Sequence, residues 1–121
     1  MGHILQRVRL SADKTATVDM LVDTDATFSV IPESLAQALG IKRLRRSVVI
    51  TLADGRRVKL GAGTAIFRIG EREAPATILV GDVIEPILGV ETLEALGLTV
   101  DSRRRRLAPS RSYAVRLGGY R

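Results

Sequence analysis

The sequence predicts one mainly antiparallel, all-β domain with one or two short helices. Short stretches of alternating or β-branched apolar residues recur along the chain, only two stretches have helical spacing, and strands and helices do not alternate regularly. The chain has 121 residues, 45% of them hydrophobic and 26% charged. This is enough apolar material for one core, and no linker rich in Gly, Ser or Pro divides the chain.

The first third of the chain predicts a hairpin followed by a short helix. Residues 4–10 alternate between apolar and polar, residues 15–22 are rich in β-branched and apolar side chains, and Asp13-Lys14 forms the turn between them. Pro32 suits the first turn of a helix, and Gly40 stands where a left-handed cap would end it. The second strand is nearly all apolar, which places its end deep in the protein.

A second hairpin is predicted after a basic stretch. Its strands are residues 48–52 and 57–60, and residues 53–56 form a tight turn that we expect to be exposed. Further strands are predicted at 63–69, 76–80, 99–100 and 106–108, with a second helix at 91–96 that again closes with glycine. The two helices have similar sequences, so an internal twofold is one reading and a chance echo is the other.

Composition excludes several kinds of chemistry. The chain has no Cys and a single His, His3, which leaves no thiolate zinc site, no cysteine nucleophile and no Ser/His triad. No apolar run approaches the roughly twenty residues that span a bilayer. We therefore expect a cytoplasmic protein without a membrane partner, whose chemistry uses carboxylates, hydroxyls and basic side chains.

The charge balance raises the question of acidic partners. Nineteen Lys and Arg against thirteen Asp and Glu give a net charge of +6, with basic clusters at residues 42–46 and 103–106. Two Phe, two Tyr and no Trp offer few surfaces on which bases could stack, which argues against a nucleic-acid partner. Attraction of acidic peptides is the alternative use of this charge.

An acidic tripeptide, Asp23-Thr24-Asp25, ends the apolar second strand. A carboxylate next to a buried strand costs free energy unless it is hydrogen-bonded or paired. A simple turn explains the tripeptide equally well from this segment alone, because Asp and Thr often end strands.

The wider context of this tripeptide resembles the retropepsin-like (clan AA) aspartic proteases. Residues 21–27 and Val30-Ile31-Pro32 are similar to the active-site segment of that family. Residues 51–58 look like its flap hairpin, and Ile87-Leu88-Gly89 looks like its apolar-apolar-Gly signature. Val100-Asp101 and Arg106-Leu107-Ala108-Pro109 resemble the closing segment of the small prokaryotic members.

The resemblance implies a small closed β-barrel over residues 1–109, with a tail at 110–121 that either adds a strand or is disordered. It also implies a homodimer, because 121 residues supply only one lobe. This homodimer would hydrolyse polypeptides with no metal or other cofactor. One Asp23 from each chain would form a pair that shares a proton, since like charges about 3 Å apart cannot both ionise. The implied active-site support and substrate-binding residues are Thr24, Asp25, Ala26 and Thr27, and the implied flap residues are Ala53, Asp54, Gly55 and Arg56.

One position departs from the family pattern. The family has Gly where this chain has Asp25; if the family backbone is kept, a side chain must fit at a conformation that Gly tolerates best, although Asp tolerates left-handed geometry better than most residues. Asp25 also brings two further carboxylates per dimer near the shared-proton pair, which would favour activity at acidic pH. Two interpretations follow: an active endopeptidase, and a catalytically impaired dimer that binds peptides or proteins through the same groove.

Overall fold

The computed structural model describes residues 3–52 and 54–110, and over these ranges the all-β class with two short helices is confirmed. Ala53 and all of the tail beyond Ser110 lie outside the described residues. The strands are β1 (Leu5–Ser11), β2 (Thr15–Val22), β3 (Ser29–Ile31), β4 (Val48–Thr51), β5 (Arg57–Ile69), β6 (Arg72–Val80), β7 (Ile87–Leu88), β8 (Leu98–Asp101) and β9 (Arg106–Pro109). The helices are α1 (Glu33–Leu39) and α2 (Val90–Leu96). Neither helix is long and apolar enough to cross a membrane.

Six strands close into a ring. The larger sheet has the order β1-β2-β7-β3-β6-β5-β4, and β1 also pairs with β5. That additional pairing joins the two ends of the row from β1 to β5, so β4 alone projects beyond the ring. Strands β8 and β9 form a separate two-stranded sheet.

The two halves of the ring exchange strands reciprocally. Strand β2 pairs in parallel with β7, and β6 pairs in parallel with β3. Strands β3 and β7 meet each other antiparallel at Val30 and Ile87. Each half therefore inserts a short strand beside the long strand of the other, which is the internal twofold that the similar helix sequences left open.

The helix ends follow the predicted caps. Gly40 and Gly97 both have φ 70°, the left-handed conformation that a residue without a Cβ adopts at low cost. Each cap N–H donates to carbonyls of the last helical turn. The two helices thus have the same termination, as their sequences indicated.

The predicted break between residues 60 and 63 is wrong, because β5 runs unbroken from Arg57 to Ile69. Gly63 serves close approach rather than a turn: a Cβ there would lie 2.6 Å from Ile41 Cγ2 and 2.8 Å from Lys42 O. The predicted start of β6 after Pro75 is also too late, since the strand begins at Arg72. Strand β3 pairs with β6 only at residues 78–80, so Pro75 lies where β6 has a free edge.

Two apolar clusters fill the structure. The larger lies inside the ring and against both helices, and its fully buried members include Phe67, Leu10, Met20 and Leu88. The smaller consists of Val30, Ala62 and Leu79, with partly buried side chains of β4 and β5 packed against it. Two members of this smaller cluster, Val30 and Leu79, line the same cleft as Asp23 and Asp25.

Candidate active site

Asp23 lies in the first position after β2, where hydrogen bonds fix both its N–H and its carbonyl. Its N–H donates to Leu88 O at 3.0 Å, and its carbonyl accepts from the Ala26 N–H at 3.2 Å. The first bond continues the parallel pairing of β2 with β7 by one residue. The apolar run that precedes Asp23 therefore delivers a half-buried carboxylate to a fixed place.

One oxygen of the Asp23 carboxylate is committed to the loop itself. Oδ1 accepts from the Asp25 N–H at 2.9 Å, a local turn that Asp side chains commonly form. Among residues 3–52 and 54–110, no hydrogen bond or ion pair reaches Oδ2. The bond to Oδ1 thus orients the carboxylate. Oδ2 is available to hydrogen-bond with water or with a second carboxyl group.

The loop from Asp23 to Phe28, hereafter the Asp23 loop, also caps helix α2. The helix has no side-chain cap; instead the Val90 and Glu91 N–H groups donate to Ala26 O and Thr27 O, each at 2.8 Å. Helix N-termini leave such donors without intrahelical partners. Loop and helix are therefore one hydrogen-bonded unit, and the loop cannot move without exposing these donors.

A pair of buried hydroxyl groups also links the Asp23 loop to helix α2. Ser29 Oγ and Thr92 Oγ1 lie 2.6 Å apart, and both residues are fully buried. Ser29 Oγ also accepts from the Gly89 N–H at 3.0 Å. Buried polar groups are costly without partners, and here each hydroxyl satisfies the other.

Gly89 is required by the closeness of this packing. A Cβ at this position would lie 2.5 Å from Phe28 C and O and 2.9 Å from Ala26 O. These are backbone atoms of the Asp23 loop, so no side-chain rotation can relieve the contact. The glycine of the Ile87-Leu88-Gly89 signature thus allows the second half of the chain to support the loop.

A cleft of about 750 Å³ opens above the loop. It is bounded by the smaller apolar cluster and by the inner face of the β4–β5 hairpin. Its apolar lining includes Phe28, Val30, Val48, Ile50, Val58, Leu60, Leu79, Val83 and Ile87. Its charged lining consists of Asp23, Asp25, Arg56 and Asp82. An apolar groove with a few convergent polar groups is typical of a ligand-binding site.

The structure brings most of the predicted site residues together. Asp23, Asp25, Ala26 and Thr27 all line the cleft. Thr24 is exposed and is not part of the lining. Among the described residues, no group of three or more His, Asp or Glu side chains could hold a metal ion.

The Asp25 backbone does not have the left-handed conformation that would favour glycine. Arg105 is the one non-glycine residue of the described ranges with a positive φ, so Asp25 has an ordinary conformation. Its N–H still donates to Asp23, a bond that glycine could make equally. The change from the family's Gly therefore keeps the backbone contact and adds a carboxylate to the cleft.

The tip of the β4–β5 hairpin is a tight turn fixed by Asp54 and Arg56. The Arg56 N–H donates to Asp54 Oδ1 at 3.0 Å, and Arg56 Nε donates to Oδ2 at 2.7 Å. The backbone bond first and the guanidinium second hold the pKa of Asp54 below its usual range. This support is present above the usual pKa of an Asp and is lost as the pH falls through the lowered value. Gly55, with φ 88°, supplies the left-handed turn residue.

Only part of the predicted flap faces the cleft. Arg56 lines it, whereas Asp54 and Gly55 do not, and Ala53 lies outside the described residues. Sequence reasoning missed the cleft residues Phe28 and Asp82. Asp82 lies two residues after β6, the strand that corresponds to β2, and so follows a strand end as the acidic tripeptide does.

Comparison with known proteins places this geometry in a family. The model of the family described as "gag-polyprotein putative aspartyl protease" matches residues 8–95. The solved structure of EIAV protease complexed with the inhibitor HBY-793 matches with a TM-score of 0.67 and 22% identity, over 83% of this chain and 93% of that one. A search of curated proteins gave no match.

The family match spans the elements that build the site. It runs from β1 through the Asp23 loop, the hairpin and the Ile87-Leu88-Gly89 turn into α2. The structural similarity independently gives the same fold. The chain therefore belongs to the gag-polyprotein aspartyl protease family and has the retropepsin-like fold.

Proposed function

We propose that this protein is an aspartic endopeptidase that is active as a homodimer. The observation that carries the proposal is that one chain presents a single oriented Asp23 carboxylate at an apolar cleft. The internal twofold does not supply its mate, because Gly81 occupies the corresponding position directly after β6. A second copy of the chain would supply the missing carboxylate.

In the proposed mechanism the two Asp23 carboxyl groups share one proton. The ionised group removes a proton from a bound water, and the water oxygen attacks the peptide carbonyl carbon. The protonated group donates a hydrogen bond to the carbonyl oxygen. Collapse of the tetrahedral intermediate breaks the C–N bond, and the leaving nitrogen receives a proton from a carboxyl group. Both roles need a free carboxylate oxygen, which supports the assignment of Asp23 Oδ2.

The remaining predicted residues have distinct roles in this proposal. Thr24, exposed and outside the cleft lining, would contact the partner's loop across the twofold. Ala26 and Thr27 line the floor, where a substrate would pass. The β4–β5 hairpin would cover an extended polypeptide and offer strand-like hydrogen bonds to it.

A second candidate function is a dimeric peptide-binding module without turnover. It is favoured by Asp25, whose carboxylate lies in the same cleft as Asp23. A further negative charge there repels the ionised carboxyl group that the hydrolytic mechanism requires. The same cleft would then bind polypeptides without hydrolysing them.

Replacing Asp25 distinguishes the two functions. With an unfolded protein substrate at pH 4 to 8, we expect Asp25→Gly to raise cleavage at pH 7 by about tenfold, because a like charge leaves the site. Asp25→Asn, which keeps the bulk, is expected to give much of the same gain. Cleavage by the natural chain, with a pH optimum more acidic than that of the Asp25 variants, supports the endopeptidase. Cleavage only after Asp25 is replaced supports the binding module.

A further inference from the structure

The β4–β5 hairpin has two chemically different faces. Val48, Ile50, Val58 and Leu60 are half-buried and line the cleft, and the exposed Val49 and Thr51 border it, whereas Arg57 and Lys59 lie outside its lining. Residues between them are exposed, and the pairing sets Val49 opposite Lys59 and Thr51 opposite Arg57. The inner face is thus apolar, whereas the outer face carries two positive charges.

The connection between α1 and β4 extends this outer face. Its Leu44 N–H donates to Ala62 O at 2.8 Å, and a Cβ at Gly61 would lie 3.1 Å from Arg43 Cδ. The connection therefore crosses β5 within a few residues of Lys59. We call the exposed cations of the connection and the hairpin the basic face: Lys42, Arg45, Arg46, Arg57 and Lys59.

The basic face lacks counter-charges of its own. None of its five side chains has an ion pair or hydrogen bond with any residue in 3–52 or 54–110. By contrast, neighbouring Arg43 pairs with Glu33 and Arg56 pairs with Asp54. Grouped like charges repel one another and attract an acidic partner from solution.

We propose that the basic face binds an acidic segment of the polypeptide whose apolar segment occupies the cleft. This inference rests on the proposed function for the cleft. The face and the cleft are two sides of one hairpin, so a chain leaving the cleft lies near the face. The substrate class is therefore an unfolded polypeptide in which an acidic stretch flanks an apolar one.

Two exposed apolar side chains favour a polypeptide over a nucleic acid. Leu44 is 59% exposed within the basic connection, and Val49 is 44% exposed at the border of the cleft, opposite Lys59. A phosphate backbone makes little use of such groups, whereas the side chains of an acidic peptide would pack on them. Charge complementarity would set the rate of encounter, and these apolar contacts would add specificity.

Matched peptides test the proposal. Two labelled peptides share one apolar core; one carries four flanking Glu and the other four flanking Gln. We measure cleavage by the full chain, and separately the Kd of noncleavable versions, from 50 to 500 mM NaCl. The Glu peptide should bind about tenfold tighter at low salt, and the advantage should shrink as salt rises.

Two charge variants locate the effect. Arg45→Gln/Arg46→Gln/Lys59→Gln should remove the Glu preference and leave the Gln peptide unchanged. The control Arg103→Gln/Arg105→Gln/Arg106→Gln removes equal charge from the β8–β9 hairpin and should retain the preference. Equal Kd values for both peptides, or a preference that survives in the first variant, would overturn the proposal. Tighter binding of a 20-nucleotide single strand than of the Glu peptide would do the same.

Failure of this inference differs from failure of the proposed function. Cleavage of both peptides at equal rates and equal Kd overturns the basic face and leaves the endopeptidase. Selective binding of the Glu peptide without cleavage supports the basic face and contradicts turnover by the cleft.

Discussion

Replacement of Asp23 by Asn is expected to abolish peptide-bond cleavage, with a loss of about 10³-fold or more in kcat. An amide cannot take a proton from water, nor can it share one with the partner chain's carboxyl group. The amide oxygen of the substituted side chain can still accept from the Asp25 N–H, the bond that orients the natural carboxylate at 2.9 Å. The variant therefore loses the proton-transfer group and retains the conformation of the Asp23 loop.

Initial rates with a peptide that the natural chain cleaves measure this loss. The structural control is the free energy of unfolding, which should change by less than about 0.5 kcal/mol. Peptide binding should also survive, because the apolar lining of the cleft is untouched. Undiminished cleavage by a stable Asp23→Asn protein would remove Asp23 from the mechanism.

Of the substitutions proposed for this chain, Gly89→Ala is expected to lower the free energy of unfolding most, by about 3 kcal/mol. The added Cβ would lie 2.5 Å from Phe28 C and O, and the Phe28 backbone is held by the neighbouring bonds between the Asp23 loop and α2. Relief requires the loop to separate from the helix. Urea unfolding measures the change, and cleavage should fall with it because the Asp23 loop loses its support.

Gly61→Ala is the matched control for this substitution. A Cβ at Gly61 would meet the flexible side chain of Arg43 at 3.1 Å rather than backbone, and φ at this residue is not positive. We expect a change below about 1 kcal/mol. Equal stability of Gly89→Ala and Gly61→Ala would contradict the role given to residue 89.

Local signals predicted much of the fold. Strand β2 and the glycine that ends α1 both depend on neighbours in sequence, and the structure confirms both elements. The end of β2 is only partly buried, so the prediction that it lies deep in the protein is wrong. The role of a glycine was predicted wrongly where it depends on distant residues. The sequence around Gly63 indicated a break in the strand, but the missing side chain allows Ile41 and Lys42 to pack directly against the strand. Ring closure through β1 and β5 also depends on pairing between distant segments, which no local pattern contains.

The site was predicted through its motif and missed where distant residues meet. The Asp23 loop has a recognisable sequence, and four of its predicted residues line the cleft. Ser29 and Thr92 are 63 positions apart and each looks like an ordinary strand or helix residue. Only the fold brings their hydroxyls together, beneath a loop whose support had no signal in the sequence.

Mixed dimers test the sharing of one active site between two chains most directly. Natural and Asp23→Asn chains are refolded together at fixed total concentration, and the initial rate is measured against the fraction of natural chain; Asp25→Gly serves as the parent if it alone cleaves. If each site needs both Asp23 residues, the rate follows the square of that fraction, so an equal mixture retains about one quarter of the activity. A linear dependence, with about one half retained, would show that each chain cleaves alone and would contradict the account.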